Sequence, residues 1–413
     1  MREESRCWLF PTAWPIKENA ANRRAVAVVC QMMTPASPAP SLMAKPRFDG
    51  IFVALTNATM HWTEEQWLVD LQSMVNVGMT FFILPALADA HGQGPPTEQC
   101  PLGLFSCNFN LSGFATRTNE SAACFRQVGS TEYAGGTVMT VLQAAAKVGL
   151  KVHLGAALTS LSVNTLYSQP GPATAYAALQ NAMIDQLWAI AGDAGLQGTV
   201  AGFYTEAEES NWWPLEWWQP WTRVYLAPVS AHTKSLREDM LSWASPYSLG
   251  NRTRFPAHGG TLHVVDYPSY AKIWARALHE APALDLLALQ DAIGAQGNSL
   301  RNASDALGNL TLAARRVGRQ MAWSNVELFE TWPRSCEWSP TTGSCHGRHP
   351  APFARIREQM TTEYDVLRTA GYSKPTLIAW EWYSCLSPNG GRDNPWARET
   401  RANYDEYKRW LAS

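Results

Sequence analysis

Between Phe48 and the C-terminus, short apolar runs alternate with amphipathic stretches eight times over. An apolar run too short for a buried helix reads as a strand covered on both faces. A following stretch with a 3.6-residue period reads as its crossover helix, and the alternation builds βα units on a parallel sheet. The expected strands are Gly50–Thr56, Thr80–Ala86, Lys151–Leu158, Thr199–Thr205, Leu241–Tyr247, Leu284–Asp291, Gln320–Glu327 and Thr376–Trp382. The expected helices include Thr63–Val77, where Thr63 and Gln66 have the spacing of a capping box. Eight such units are the count of a (β/α)8 TIM barrel. An open doubly wound sheet would announce a glycine-rich first turn, whereas here Thr56-Asn57-Ala58-Thr59 follows the first strand. The predicted fold is therefore α/β, a single (β/α)8 TIM barrel over residues 47–413, with a long insertion after strand 2 at about 88–132. Residues 1–46 have no sustained period and end in a Pro/Ser/Ala-rich stretch. They are expected to form a leader or a disordered N-terminal segment.

Composition narrows the function. Lys+Arg 33 against Asp+Glu 35 gives a net charge of −2 without long runs of one sign. That disfavours nucleic acid and polybasic membrane binding. No apolar run reaches the roughly 18 residues of a spanning helix. The chain carries 19 Trp, more than a core needs, so some are expected to offer faces to sugar rings. Nine His residues show no HxH or HExxH spacing, and no GxSxG elbow occurs. Neither a metal nor another cofactor is expected. His153, inside the third strand, is expected to be a satisfied barrel histidine.

Eight Cys residues form no CxxC pair. Cys336 and Cys345 flank a turn-rich segment and are expected to bridge it. Cys100, Cys107 and Cys124 share the insertion, which is expected to hold one pair. N-x-[ST] acceptors stand at Asn57, Asn110, Asn119, Asn251, Asn302 and Asn309. Arg23 and Arg24 precede a short apolar stretch, Ala25 to Cys30, that resembles a weak signal core. Together these features favour a secreted or extracellular protein.

Barrel chemistry sits at the C-terminal ends of the strands. There the sequence places Tyr204, Glu206 and Glu208 at the end of strand 4, Tyr247 at the end of strand 5, and Gln290 and Asp291 at the end of strand 6. It places Asn325 and Glu327 at the end of strand 7 and Glu381 at the end of strand 8. Trp212, Trp213 and Trp382 lie beside these carboxylates. Glycoside hydrolysis needs a proton for the departing oxygen and a nucleophile or activated water at the anomeric carbon, and two carboxyls supply both. The expected substrate is an oligosaccharide or polysaccharide. Tyr204, Tyr247, Gln290 and Asn325 would bind hydroxyls, and the three Trp residues would stack on rings. The other function class is a non-catalytic carbohydrate-binding barrel, which would keep the Trp residues without needing paired acids.

Several motifs point further. They are Gly50-Ile51-Phe52 with Trp62-Thr63-Glu64-Glu65-Gln66-Trp67, Gly202-Phe203-Tyr204-Thr205-Glu206-Ala207-Glu208, and Ser245-Pro246-Tyr247. Leu289-Gln290-Asp291-Ala292-Ile293-Gly294 and Trp323-Ser324-Asn325-Val326-Glu327-Leu328-Phe329 complete the set. In their order and spacing the chain from Phe48 to Pro388 resembles the TIM-barrel family of domain of unknown function 4434, grouped with glycoside hydrolases. The resemblance implies a barrel and a carbohydrate-active role, and no particular substrate. The family often has Pro two residues before its strand-4 glutamate. Here Glu206 stands at that Pro position and Glu208 at the matching Glu. By fold analogy with retaining glycosidase barrels, Glu208 is the expected acid/base and Glu327 the expected nucleophile. Glu206 is the alternative acid, Asp291 the alternative base or stabiliser, and Glu381 a further alternative.

Overall fold

The computed structural model describes residues 45–56, 59–89, 96–110, 122–129, 135–159, 166, 168–250, 254–257, 260–332, 347–389, 394 and 396–413. Residues 1–44, most of the expected leader, lie outside the described residues, as do Cys336 and Cys345.

Eight parallel strands close into a barrel in chain order. They are β1 (Phe48–Phe52), β2 (Phe81–Leu84), β3 (Lys151–Gly155) and β4 (Val200–Thr205). The other four are β5 (Leu241–Ala244), β6 (Leu286–Gln290), β7 (Trp323–Glu327) and β8 (Thr376–Trp380). β8 pairs with β1 to close the ring. Most strands are shorter than the apolar runs that mark them, because the run continues into the buried turn beyond the last ladder bond.

Side-chain alternation sorts each strand. Phe52, Phe81, Ile83, Tyr204, Trp243, Leu286, Ala288, Trp323 and Ile378 pack together as the barrel interior. Five of these nine are aromatic, and small residues make the room. A Cβ at Gly50 would overlap the Phe81 ring. His153 stands among the rings, where its Nδ1 accepts from Trp243 Nε1 at 3.0 Å. Burial pushes its pKa down to about 3, so the ring is neutral. The odd-parity residues of the strands join the helix layer in the larger outer core.

The helices are α1 (Glu64–Asn76), α2 (Gly136–Val148), α3 (Pro170–Asp193), α4 (215–236), α5 (Tyr267–Glu280), α6 (Leu300–Arg316), α7 (Phe353–Thr369) and α8 (Ala397–Ala412). In α1 the capping box forms. Gln66 N donates to Thr63 Oγ1 at 3.3 Å, and Thr63 N donates to Gln66 Oε1 at 2.8 Å. Trp67, Leu71 and Met74 then fall on the buried face. α4 runs as Leu215–Trp221, a π-helical turn Thr222–Leu226, and Ala227–Leu236. Pro228 has no N–H to give, and the ladder widens just before it, with Ala227 N bonding Thr222 O.

The insertion after β2 carries a small sheet of Ala88–Asp89, Phe105–Cys107 and Phe125–Gln127. A disulfide joins Cys100 to Cys124, with Cα atoms 5.5 Å apart, and supplies the one pair expected there. Antiparallel hairpins follow β5 and β7. Among the described residues no helix is long and apolar enough to cross a membrane.

Candidate active site

The C-terminal mouth is an arc of polar side chains from consecutive strands. Inward parity carries Tyr204, Glu206 and Glu208 on the β4 line, Tyr247 on β5, Gln290 on β6, and Asn325 and Glu327 on β7. Gln290 pairs in register with Asn325, and Glu327 with Trp380.

Glu208 is exposed. Gln290 Nε2 reaches its Oε1 at 3.4 Å and also donates to Ser245 O at 2.7 Å. Beside it, burial pushes the Tyr247 hydroxyl up to about 12, partly offset by the bond from Trp212, while the Glu208 charge adds to the rise. Trp212, half-buried, donates through Nε1 to Tyr247 Oη at 3.0 Å. Burial also raises Tyr204, and the charges of Glu206 and Glu208 raise it further. Glu208, Tyr204, Tyr247, Gln290 and Trp212 are thus brought together.

Glu206 takes a different place. It is 4% exposed, and its Oε1 accepts from Ala86 N at 2.7 Å. It lies over Gly155, where a Cβ would overlap its carboxylate. Glu327, also 4% exposed, accepts from Ala295 N through Oε2 at 2.7 Å. That donor sits in the short helix Ile293–Gln296. Asn325 Nδ2 donates to Ser245 Oγ at 3.0 Å. The backbone leading to both donors is left-handed, with φ 49° at Ala86 and φ 53° at Ala292. These are the two non-glycine residues of positive φ among the described residues, and each such turn costs on the order of 1 kcal/mol or more.

Other sequence candidates lie elsewhere. Asp291 has outward parity on β6 and accepts from Gln359 Nε2 of α7 at 2.6 Å, so it supports the mouth from behind. Glu381 caps the short helix Trp382–Cys385, accepting from Tyr383 N at 2.8 Å and Ser384 N at 2.7 Å. Trp382 is fully buried and donates to Asp70 Oδ2 at 2.7 Å. Trp213 is buried against Trp218 and Trp221. Neither ring is open to a sugar.

Sequence reasoning passed over Trp380. Its half-buried ring lies 4.7 Å from that of Phe52 at the floor of the mouth. The signal was its parity with Ile378. It also passed over Glu209, which faces away from Glu208. Glu209 is 0% exposed and accepts from Trp221 Nε1 at 2.9 Å. Burial, opposed by that bond, pushes its pKa up to about 8.

The sequence profile of one family, described as a domain of unknown function (DUF4434), matches residues 48–389. The chain belongs to this family. No curated protein sequence matches this DUF4434 member. Among solved structures it is similar to a Bacteroides thetaiotaomicron VPI-5482 protein provisionally assigned as an alpha-L-fucosidase. That match has TM-score 0.61 at 17% identity and covers 89% of this chain and 96% of that one. A hyperthermostable endo-1,4-beta-D-mannanase from Thermotoga petrophila RKU-1 matches with TM-score 0.49 at 11% identity, covering 89% of this chain and 99% of that one. At such identity the first likeness establishes the shared barrel fold and nothing finer.

Proposed function

We propose that the mouth of this DUF4434 barrel hydrolyses O-glycosidic bonds, with Glu208 as acid/base and Glu327 as nucleophile. The observation that carries this reading is the convergence of inward-facing polar side chains from β4 to β7 beside the half-buried Trp212 and Trp380 rings. Strained turns at the two donors that hold Glu206 and Glu327 support it, since such strain gathers at functional sites. The fold shared with a protein provisionally assigned as an alpha-L-fucosidase adds an argument by analogy.

The roles follow from the environments. Glu208 is exposed to solvent and reached by the Gln290 amide, so it can follow a moving proton. It protonates the leaving oxygen. Glu327 is oriented by a backbone N–H and attacks the anomeric carbon. A covalent glycosyl-enzyme forms, Glu208 takes a proton from water, and that water releases the sugar with retained configuration. Tyr204, Tyr247, Gln290 and Asn325 bind hydroxyls, and Trp212 and Trp380 stack on rings. The Cys100–Cys124 bridge supports the further proposal that the protein works in an oxidising, extracellular compartment.

The test is hydrolysis across a panel of glycans with Glu327→Gln as control. At least one glycan should be cleaved, the first product should keep its anomeric configuration, and Glu327→Gln should lose on the order of a thousandfold or more in kcat. Sugar binding without turnover in the wild type would instead favour a binding barrel, and an active Glu327→Gln would refute the nucleophile.

A further inference from the structure

Behind β7 lies a buried acidic cluster that the proposed reaction does not touch. α7 turns Gln359 and Glu363, one helical turn apart, toward the outer faces of β6 and β7. Each is 1% exposed. Ser324 Oγ donates to Glu363 Oε2. Glu363 Oε1 is buried with no donor, and the Glu363 carboxyl meets that of Asp291. Asp291 is itself 2% exposed. Two ionised carboxylates facing each other in a dry interior are not tolerated, and one of such a pair holds a proton. The other charged groups facing the pair are Glu327 from β7 and Arg355 from α7. Arg355 directs Nη2 to the carbonyls of Glu327 at 3.1 Å and Phe329 at 2.7 Å.

Asp291 is the hub of this cluster. Its Oδ2 accepts from Gln359 Nε2 at 2.6 Å and from Glu327 N at 3.3 Å. Its Oδ1 accepts from Ile293 N at 3.0 Å, at the start of the short helix whose Ala295 N–H holds the Glu327 carboxylate. One side chain therefore fixes both the backbone of Glu327 and the donor that aims its carboxylate.

We infer that Glu363 is a carboxylic acid whose Oε1–H donates to Asp291, and that this shared proton makes Asp291 the positioning residue for Glu327. The positioning role rests on the reading of Glu327 as nucleophile, whereas the shared proton does not. The experiment compares wild type, Glu363→Gln, Glu363→Leu and Asp291→Asn by infrared spectroscopy and by steady-state kinetics on a cleaved glycan. The wild-type minus Glu363→Gln difference spectrum should contain the C=O stretch of a buried protonated carboxyl at neutral pH. Taking that difference removes any contribution from Glu209. Gln keeps an N–H for Asp291 and an oxygen for Ser324, so Glu363→Gln should keep kcat within about threefold of wild type. Glu363→Leu and Asp291→Asn should lose on the order of a hundredfold in kcat with little change in KM. A difference spectrum without that band overturns the inference. Glu363→Gln losing as much kcat as Glu363→Leu overturns the positioning role. If the band is present and no glycan is turned over, the shared proton stands and the proposed function falls.

Discussion

Glu209 follows Glu208 in the chain, yet the two carboxyls face opposite sides of the β4 extension. Glu208 meets solvent, while Glu209 is buried against Trp221, whose ring stacks on Tyr225 with centroids 4.0 Å apart. With a folded value of about 8 against an ordinary 4.5, Glu209 keeps a proton in the folded chain that the unfolded chain has released. Its contribution to stability therefore falls as pH rises from about 4.5 to about 8. His153 works on the other flank. Its folded value of about 3 lies below the ordinary 6.5, so stability falls as pH drops through that window. Between pH 6.5 and 8 the wild type should lose on the order of 1 kcal/mol through Glu209 alone. Urea unfolding at the two pH values should show that loss in wild type and not in Glu209→Gln. An equal loss in both would remove Glu209 as its source. None of this was legible in the sequence, where Glu206, Glu208 and Glu209 are three acids in a row of four positions. Parity separates them, but only the packing of α4 shows that the outward one is buried.

Elements were legible where periodicity and local chemistry agree. The α1 start was readable because Thr63 and Gln66 satisfy each other's backbone within one turn. Thr63→Ala should therefore cost about 1 kcal/mol of stability and leave kcat unchanged. Denaturant midpoints and initial rates measured on the same preparation check both halves of that expectation. Legibility fails where a strand ends. The apolar run of β8 continues to Trp382, but the ladder stops at Trp380, and the Trp380–Glu381 peptide is cis. Glu381 then turns to cap a helix, and Trp382 reaches back to Asp70 of α1. Tryptophan suits a sugar platform and a core equally well, so its residue type could not choose between Trp380 and Trp382. The π-helical turn in α4 was likewise hidden inside an otherwise continuous helical pattern.

At the scale of the molecule, eight βα units sufficed to specify the closed barrel. The mouth was readable as a set of strand ends because barrel topology gathers them wherever the helices lie. What the sequence left open was which carboxylate meets solvent and which is tied to backbone. Ala86 and Ala295 settle that by spending their N–H groups on Glu206 and Glu327. The division of labour between Glu208 and Glu327 is the central claim, and leaving-group dependence tests it most directly. Two aryl glycosides of the cleaved sugar would be compared, one whose leaving group needs a proton and one whose does not. Removing a general acid typically costs 10²–10⁴-fold, and only where protonation matters. Glu208→Gln should thus lose about a thousandfold on the poor leaving group while forming the glycosyl-enzyme almost normally from the good one. Glu327→Gln should fail on both. Equal losses by Glu208→Gln on the two substrates, or turnover of either by Glu327→Gln, would contradict the account.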